Sequence, residues 1–100
     1  MSTVIKVIGL IGGGTTGFDG QYVVEFDPCR DGVEPLSGMS MMAHLVTTPD
    51  IERAAKFDTI EAFELWRSVD TRAPTRPDGK PNRPFTAFTV AFDQYEEAAP

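Results

Sequence analysis

Helical patterning in this 100-residue chain is confined to Thr47 to Val69, TTPDIERAAKFDTIEAFELWRSV, and the runs on either side are rich in Val, Ile, Phe and Thr. A sheet with an apolar face has to bury it, and this segment is the cover the sequence supplies. The expected fold class is therefore α+β: a small, mostly antiparallel sheet of about four strands, covered on one face by one or two short helices in the order ββ-β-α-β.

Thr48-Pro49-Asp50 reads as a helix start, because Thr48 can accept from a free backbone N–H, Pro49 suits the first helical position and Asp50 favours the positive end. A first helix is expected from about Pro49 to Lys56. Asp58-Thr59-Ile60-Glu61 offers a second N-cap with capping-box spacing. On the helix that follows, Ala62, Leu65, Trp66 and Val69 form one apolar stripe flanked by Phe63, while Glu61, Glu64, Arg67 and Ser68 take the other side. Trp66 is the largest core candidate, read as a sheet-facing anchor rather than a ligand-stacking ring.

The strands follow from β-branched content and alternation. Thr3 to Ile11 is almost continuously apolar, which places it centrally with both faces mostly covered. Gly12 to Gly20, GGGTTGFDG, breaks it, and Gln21 to Asp27 then alternates Tyr22, Val24 and Phe26 against Gln21, Val23, Glu25 and Asp27. These two strands are expected to form a hairpin around a glycine loop. Pro28 to Gly38 reads as a loop. Met39 to Thr48 reads as a third strand, with Met41, Ala43 and Leu45 on one face and Met42, His44 and Val46 on the other. Four prolines and a glycine exclude Asp70 to Pro84 from regular structure. Phe85 to Asp93 closes the sheet, with Phe88, Val90 and Phe92 facing Leu65 and Trp66, and Phe85 on the opposite face. Residues 94–100 read as a frayed acidic tail on a single domain spanning 1–100.

A formal charge of −6 argues against a general grip on nucleic-acid phosphates, so no direct nucleic-acid binding is expected. The first fourteen residues lack the charged region and cleavage site of a signal peptide, and no apolar run approaches a membrane span. One cysteine allows no internal disulfide, and a cytoplasmic setting is the expectation.

No motif carries chemistry on its own. Gly12 to Gly17 spells G-x-G-x-x-G after a strand, but the fingerprint requires a helix to follow, and FDGQYVVEFD alternates as a strand. A nest of glycine N–H groups is what the loop could still offer an anion. Cys29 and His44 are each the sole residue of their kind, and no third group orients them as a nucleophile and base. They also fall short of a zinc ligand set. Asp27 to Gly38 fails the calcium-loop pattern, with Cys29 at its third position and Gly38 at its twelfth. Catalytic residues, metal and cofactor are accordingly all expected to be none.

The feature raised above background is the basic set Arg72, Arg76, Lys80 and Arg83 on the proline-stiffened loop 70–84, opposed there only by Asp70 and Asp78. The remaining residues hold five bases and thirteen acids. Stiffening lowers the entropy lost on docking, which suits a binding arm, the plain alternative being a solvated connection.

The stretch HLVTTPDIERAAKFDTIEAFELWR (His44 to Arg67), with RPDGKPNRPFTAFTV (Arg76 to Val90) after it, resembles short uncharacterised proteins of tailed phages and bacterial prophages. The resemblance implies a phage or prophage origin and no assigned activity. Together these readings point to a small noncatalytic protein that binds another protein in a bacterial host, as a host-directed inhibitor or accessory factor. The alternatives are a small ligand-binding or enzymatic domain using the glycine loop 12–20, and a structural homo-oligomer built through sheet edges.

Overall fold

Strand β1 (Ser2–Leu10) lies between two antiparallel neighbours, β2 (Tyr22–Asp27) and β6 (Phe88–Tyr95), and β5 (His44–Thr48) pairs outside β2, giving the order β5-β2-β1-β6. This computed structural model describes residues 2–96. A ribbon of two short strands, β3 (Gly32–Val33) and β4 (Ser40–Met41), and one helix, α1 (Thr59–Trp66), complete the expected α+β fold. The β1–β6 ladder is the longest, from Ser2 opposite Tyr95 to Leu10 opposite Phe88. Residues 97–100 of the tail lie outside the described residues, whereas Gln94 and Tyr95, expected in the tail, belong to β6.

Two irregularities set which side chains reach the core. Between Val23 and Glu25 the register of β2 slips by one residue, so Val23 and Phe26, three apart, both pack in the same hydrophobic cluster. Strict alternation places them on opposite faces, and a bulge removes that conflict. A similar slip between Val7 and Gly9 turns Ile8 outward to 52% exposure, so the cover over β1 is less complete than its apolar sequence implies.

The expected first helix is only a 3-10 turn, Ile51–Arg53, capped by Asp50 rather than Thr48. Thr48 belongs to β5, and the residues after the turn give their backbone groups to the sheet: Ala55 N donates to Val23 O, and Phe57 exchanges two hydrogen bonds with Thr3. Sheet pairing there outcompetes helix propensity. Asp58 caps α1 by accepting from Ile60 N and Glu61 N. The helix ends at Trp66, so only Ala62 and Trp66, one turn apart, are buried, while Leu65 and Val69 do not extend the stripe as expected.

The aromatic centre is Phe26, Trp66 and Phe85, with ring centroids 5.3, 5.3 and 4.8 Å apart. Phe85 is fully buried although alternation along a strand had pointed it away. Residues Pro84–Ala87 form a 3-10 turn before β6 begins, and that turn swings Phe85 inward alongside Phe88. Phe18, in the middle of the glycine loop, is also core and meets Phe88 edge-on.

The expected loop 28–38 and third strand are reorganised into the ribbon and β5. Gly32 packs so closely on β5 that a Cβ there would lie 2.5 Å from the Ala43 carbonyl oxygen, so the ribbon covers that sheet edge. Glu34 ties the ribbon to the glycine loop. Its carboxylate accepts from Gly17 N at 2.6 Å, Leu36 N at 3.1 Å, and Ser37 N and Oγ at 2.6 and 2.7 Å. The Gly17 amide, followed by the Ser37 hydroxyl, lowers its pKa from the ordinary 4.5 to about 2. A carboxylate whose pKa is depressed by folding stabilises fully above 4.5 and loses that contribution as pH falls toward 2. Acid unfolding monitored by circular dichroism is therefore expected to shift to higher pH in Glu34→Ala, and Glu34→Gln is expected to flatten the pH dependence of stability in this window. An unchanged acid profile in both would show that the clamp contributes nothing.

Candidate functional site

The loop Asp70–Pro84 is ordered despite its four prolines. Arg76-Pro77-Asp78-Gly79 makes a turn closed by Gly79 N on Arg76 O, with Gly79 at φ +84°, and Thr75 bridges Pro81 to form a small hairpin. Asn82 holds its base, donating through Nδ2 to Ala73 O and through its backbone to Pro74 O while accepting from Asp70 N. Proline removes donors from a ladder, and the bonds here run through the intervening residues instead.

The four arm bases have separate fates. Arg72 is a clip: it donates to Asp70 through Nε at 3.1 Å and Nη2 at 3.2 Å, to Asp31 through Nη1 at 2.9 Å, and to Met42 O at 2.6 Å. Its guanidinium holds the carboxyl of Asp70, 1% exposed, below the ordinary range, and the two carboxylates raise the pKa of Arg72 further. Arg76 remains half exposed, 3.7 Å from Asp78. Lys80 is exposed at the turn. Arg83 reaches back to donate to the carbonyl of Arg67 at the end of α1.

Arg76 and Arg83 form one wall of an open groove of about 730 Å³. Asn82 and Pro84 complete that wall, Leu10, Ile11, Gly12 and Gly14 form the other, and Thr86 and Ala87 lie between. Ile11 is 70% exposed, and its N–H is bonded to Ala87 O, which ties the end of β1 to the turn before β6. The glycine loop and the basic arm, separate candidates in the sequence, thus share one site. Lys80 is not among its lining residues, and Arg72 is occupied elsewhere. The groove pairs an aliphatic wall with a cationic one, a chemistry suited to an extended, acidic and partly apolar segment.

No helix follows the glycine loop, so the dinucleotide-binding context is missing. Cys29 Sγ lies 3.2 Å from Thr71 Oγ1, whereas His44 Nε2 is buried without a hydrogen-bond partner among the described residues, 3.5 Å from Glu25 Oε1, so the two have different neighbours. Among the described residues, no group of three His, Cys, Asp or Glu side chains is placed to hold a metal ion. No helix among them is long and apolar enough to cross a membrane. Sequence reasoning missed Asn82, Ile11 and Thr86. Ile11 reads as part of a strand mostly covered on both faces, and its exposure is visible only in the structure. Compared with family models, curated proteins and solved structures, the chain finds no match in any of the three.

Proposed function

We propose that this protein is a noncatalytic binding module that seats an acidic, extended segment of a partner protein in the groove between its glycine loop and its Pro/Arg arm. The observation that carries the reading is the shared groove itself: Arg76 and Arg83 line it together with Leu10 and Ile11, on a chain of net charge −6. Charge complementarity selects an acidic occupant, and the aliphatic wall selects one that also carries an apolar residue. The resemblance to phage and prophage proteins supports a setting in the bacterial cytoplasm and a host or phage protein as partner, with the module acting as an inhibitor or accessory factor.

The test is titration with acidic peptides carrying one aliphatic residue, followed by amide chemical shifts. Shifts are expected at Gly12, Gly14, Arg76, Asn82 and Arg83. Arg76→Glu is expected to weaken binding about tenfold or more, and added salt to weaken it further. Ile11→Asp, on the opposite wall, is expected to do the same. Neither side chain supports the core, so a folded variant with unchanged binding would overturn the reading, as would shifts confined to another surface.

A further inference from the structure

The two edges of the sheet are not alike. The β3–β4 ribbon packs on the β5 side through Gly32, whereas β6, eight residues long, has among the described residues a strand neighbour only in β1. The direction of its backbone groups follows from the ladder. Thr3 exchanges its N–H and C=O with Phe57, and Val7 bonds Gln21 and Gly20, so both point away from β6. Alternation along an antiparallel strand then turns Val4 and Lys6 toward β6, opposite Asp93 and Ala91. Val90, Phe92 and Gln94 accordingly aim their backbone N–H and C=O groups at the open edge. Such an edge is a template for an added strand.

Charge along this edge is directional. Toward the start of β6 lies Arg67 at the end of α1, its carbonyl accepting from Arg83 ahead of the 3-10 turn and its guanidinium over the Phe63 ring with Glu64 nearby. At its finish stand Glu96 and Glu52, the latter bonded to the Tyr95 hydroxyl with the Lys56 ammonium over the same ring, whereas Asp93, opposite Val4, lies on the face away from α1. Asp58 and Glu61 join them, because Gln94 reaches Thr59 at the start of α1. The strand edge therefore runs from a basic end to an acidic end.

We infer that the partner fitted to this edge is a second copy of the chain, paired antiparallel through β6 about a two-fold axis. Antiparallel pairing about a two-fold that keeps the sheet faces sets the Arg67 end of each copy against the Glu61 and Glu96 end of the other, while parallel pairing sets like charges together. A two-fold makes the interface self-complementary and closed, which ends growth at the dimer and removes the exposed edge. Paired strands also continue one four-stranded sheet into eight, with Phe63 and Phe92, already in contact at 5.7 Å, close to the seam. Repulsion between the two net charges of −6 is screened beyond about 8 Å at physiological salt, whereas the contacting ends are not. The inference is independent of the groove reading, since an acidic peptide could occupy the groove of a monomer.

Sedimentation and light scattering over a concentration series, with amide hydrogen exchange, test it. The wild type is expected to double its mass with concentration, and the amides of Val90, Phe92 and Gln94 to gain protection in step. Glu61→Lys with Glu96→Lys, both exposed, is expected to raise the dimer dissociation constant about tenfold or more. Arg67→Glu, which leaves the groove lining intact, is expected to do likewise, and an equimolar mixture of the acidic-end and Arg67 variants to restore a heterodimer. A mass that stays monomeric at all concentrations overturns the inference. So does a dimer that leaves those three amides unprotected, or one whose affinity ignores the acidic-end variant. Retained peptide binding in the groove of a monomeric protein would separate this failure from failure of the functional reading.

Discussion

Trp66→Ala is expected to cost about 3–5 kcal/mol, the range for removing a large buried aromatic side chain. Trp66 is 3% exposed and meets Phe26, Phe85 and Phe88, so its loss opens a cavity at the one place where helix, sheet and 3-10 turn converge. Against a total stability of about 5–15 kcal/mol for a native domain, that is a large fraction. At about 4–8 °C per kcal/mol for a domain of this size, the thermal midpoint is expected to fall by more than about 12 °C. Trp66→Phe is expected to be much milder. The indole Nε1 is buried without a hydrogen-bond partner among the described residues, so Phe loses ring area while removing an unsatisfied donor worth about 1–3 kcal/mol. Leu65→Ala, at a position 39% exposed, is expected to lie well below Trp66→Ala. Urea and thermal denaturation decide the matter. A Leu65 effect equal to that of Trp66 would show that the helix presents a different face to the sheet.

Arg72→Ala is the second large effect, and it separates an arm used for binding from an arm used for folding. Removing this guanidinium leaves the carboxylate of Asp70 buried without its cation and unties the ribbon at Asp31 and Met42. Breaking one side of a buried pair is costly because the other charge stays desolvated. Arg72→Ala is therefore expected to lower stability far more than Arg76→Ala or Lys80→Ala, whose side chains are exposed. Asp70→Asn placed on top of Arg72→Ala is expected to recover part of the loss, giving a clear non-additivity in the double-mutant cycle. The pH dependence has a definite sign. Folding lowers the pKa of Asp70 below 3.8, chiefly through the Arg72 hydrogen bonds, so its contribution is complete above 3.8 and fades as pH falls through the folded value. In Arg72→Ala that acid-labile contribution is expected to disappear. Equal stability of the Arg72, Arg76 and Lys80 variants would refute the clip.

Much of the fold was readable because it rests on short-range pattern. Ala43 and Leu45 read as one face and are both buried, although only Leu45 lies in β5, and Asp58 announced the start of α1 through its cap. The errors share one cause. Residues 49–56 have helix chemistry, yet they are drawn straight by hydrogen bonds to Val23 and Thr3, which are distant in sequence. Phe85 reads as the outward side of a strand until the 3-10 turn that Pro84 opens is known. Val23 and Phe26 share a core only through a bulge that alternation cannot announce. Of the basic set, the sequence placed Arg72, Arg76, Lys80 and Arg83 on one loop but could not show that Asp70 and Asp31 occupy the first of them.

What the amino-acid order determined by itself was therefore local: the main strands and the second helix, its cap, and the acidic body with one basic segment. Those properties depend on neighbours within a few residues, where side-chain sterics, hydrogen bonding and periodicity act directly on φ and ψ. Only the tertiary structure decided which strand lies at an open edge, which arginine is spent inside the fold, and that the glycine loop and the basic arm form one groove. Each of these is a pairing between distant segments, selected by the packing of the whole core around Trp66 and Phe85.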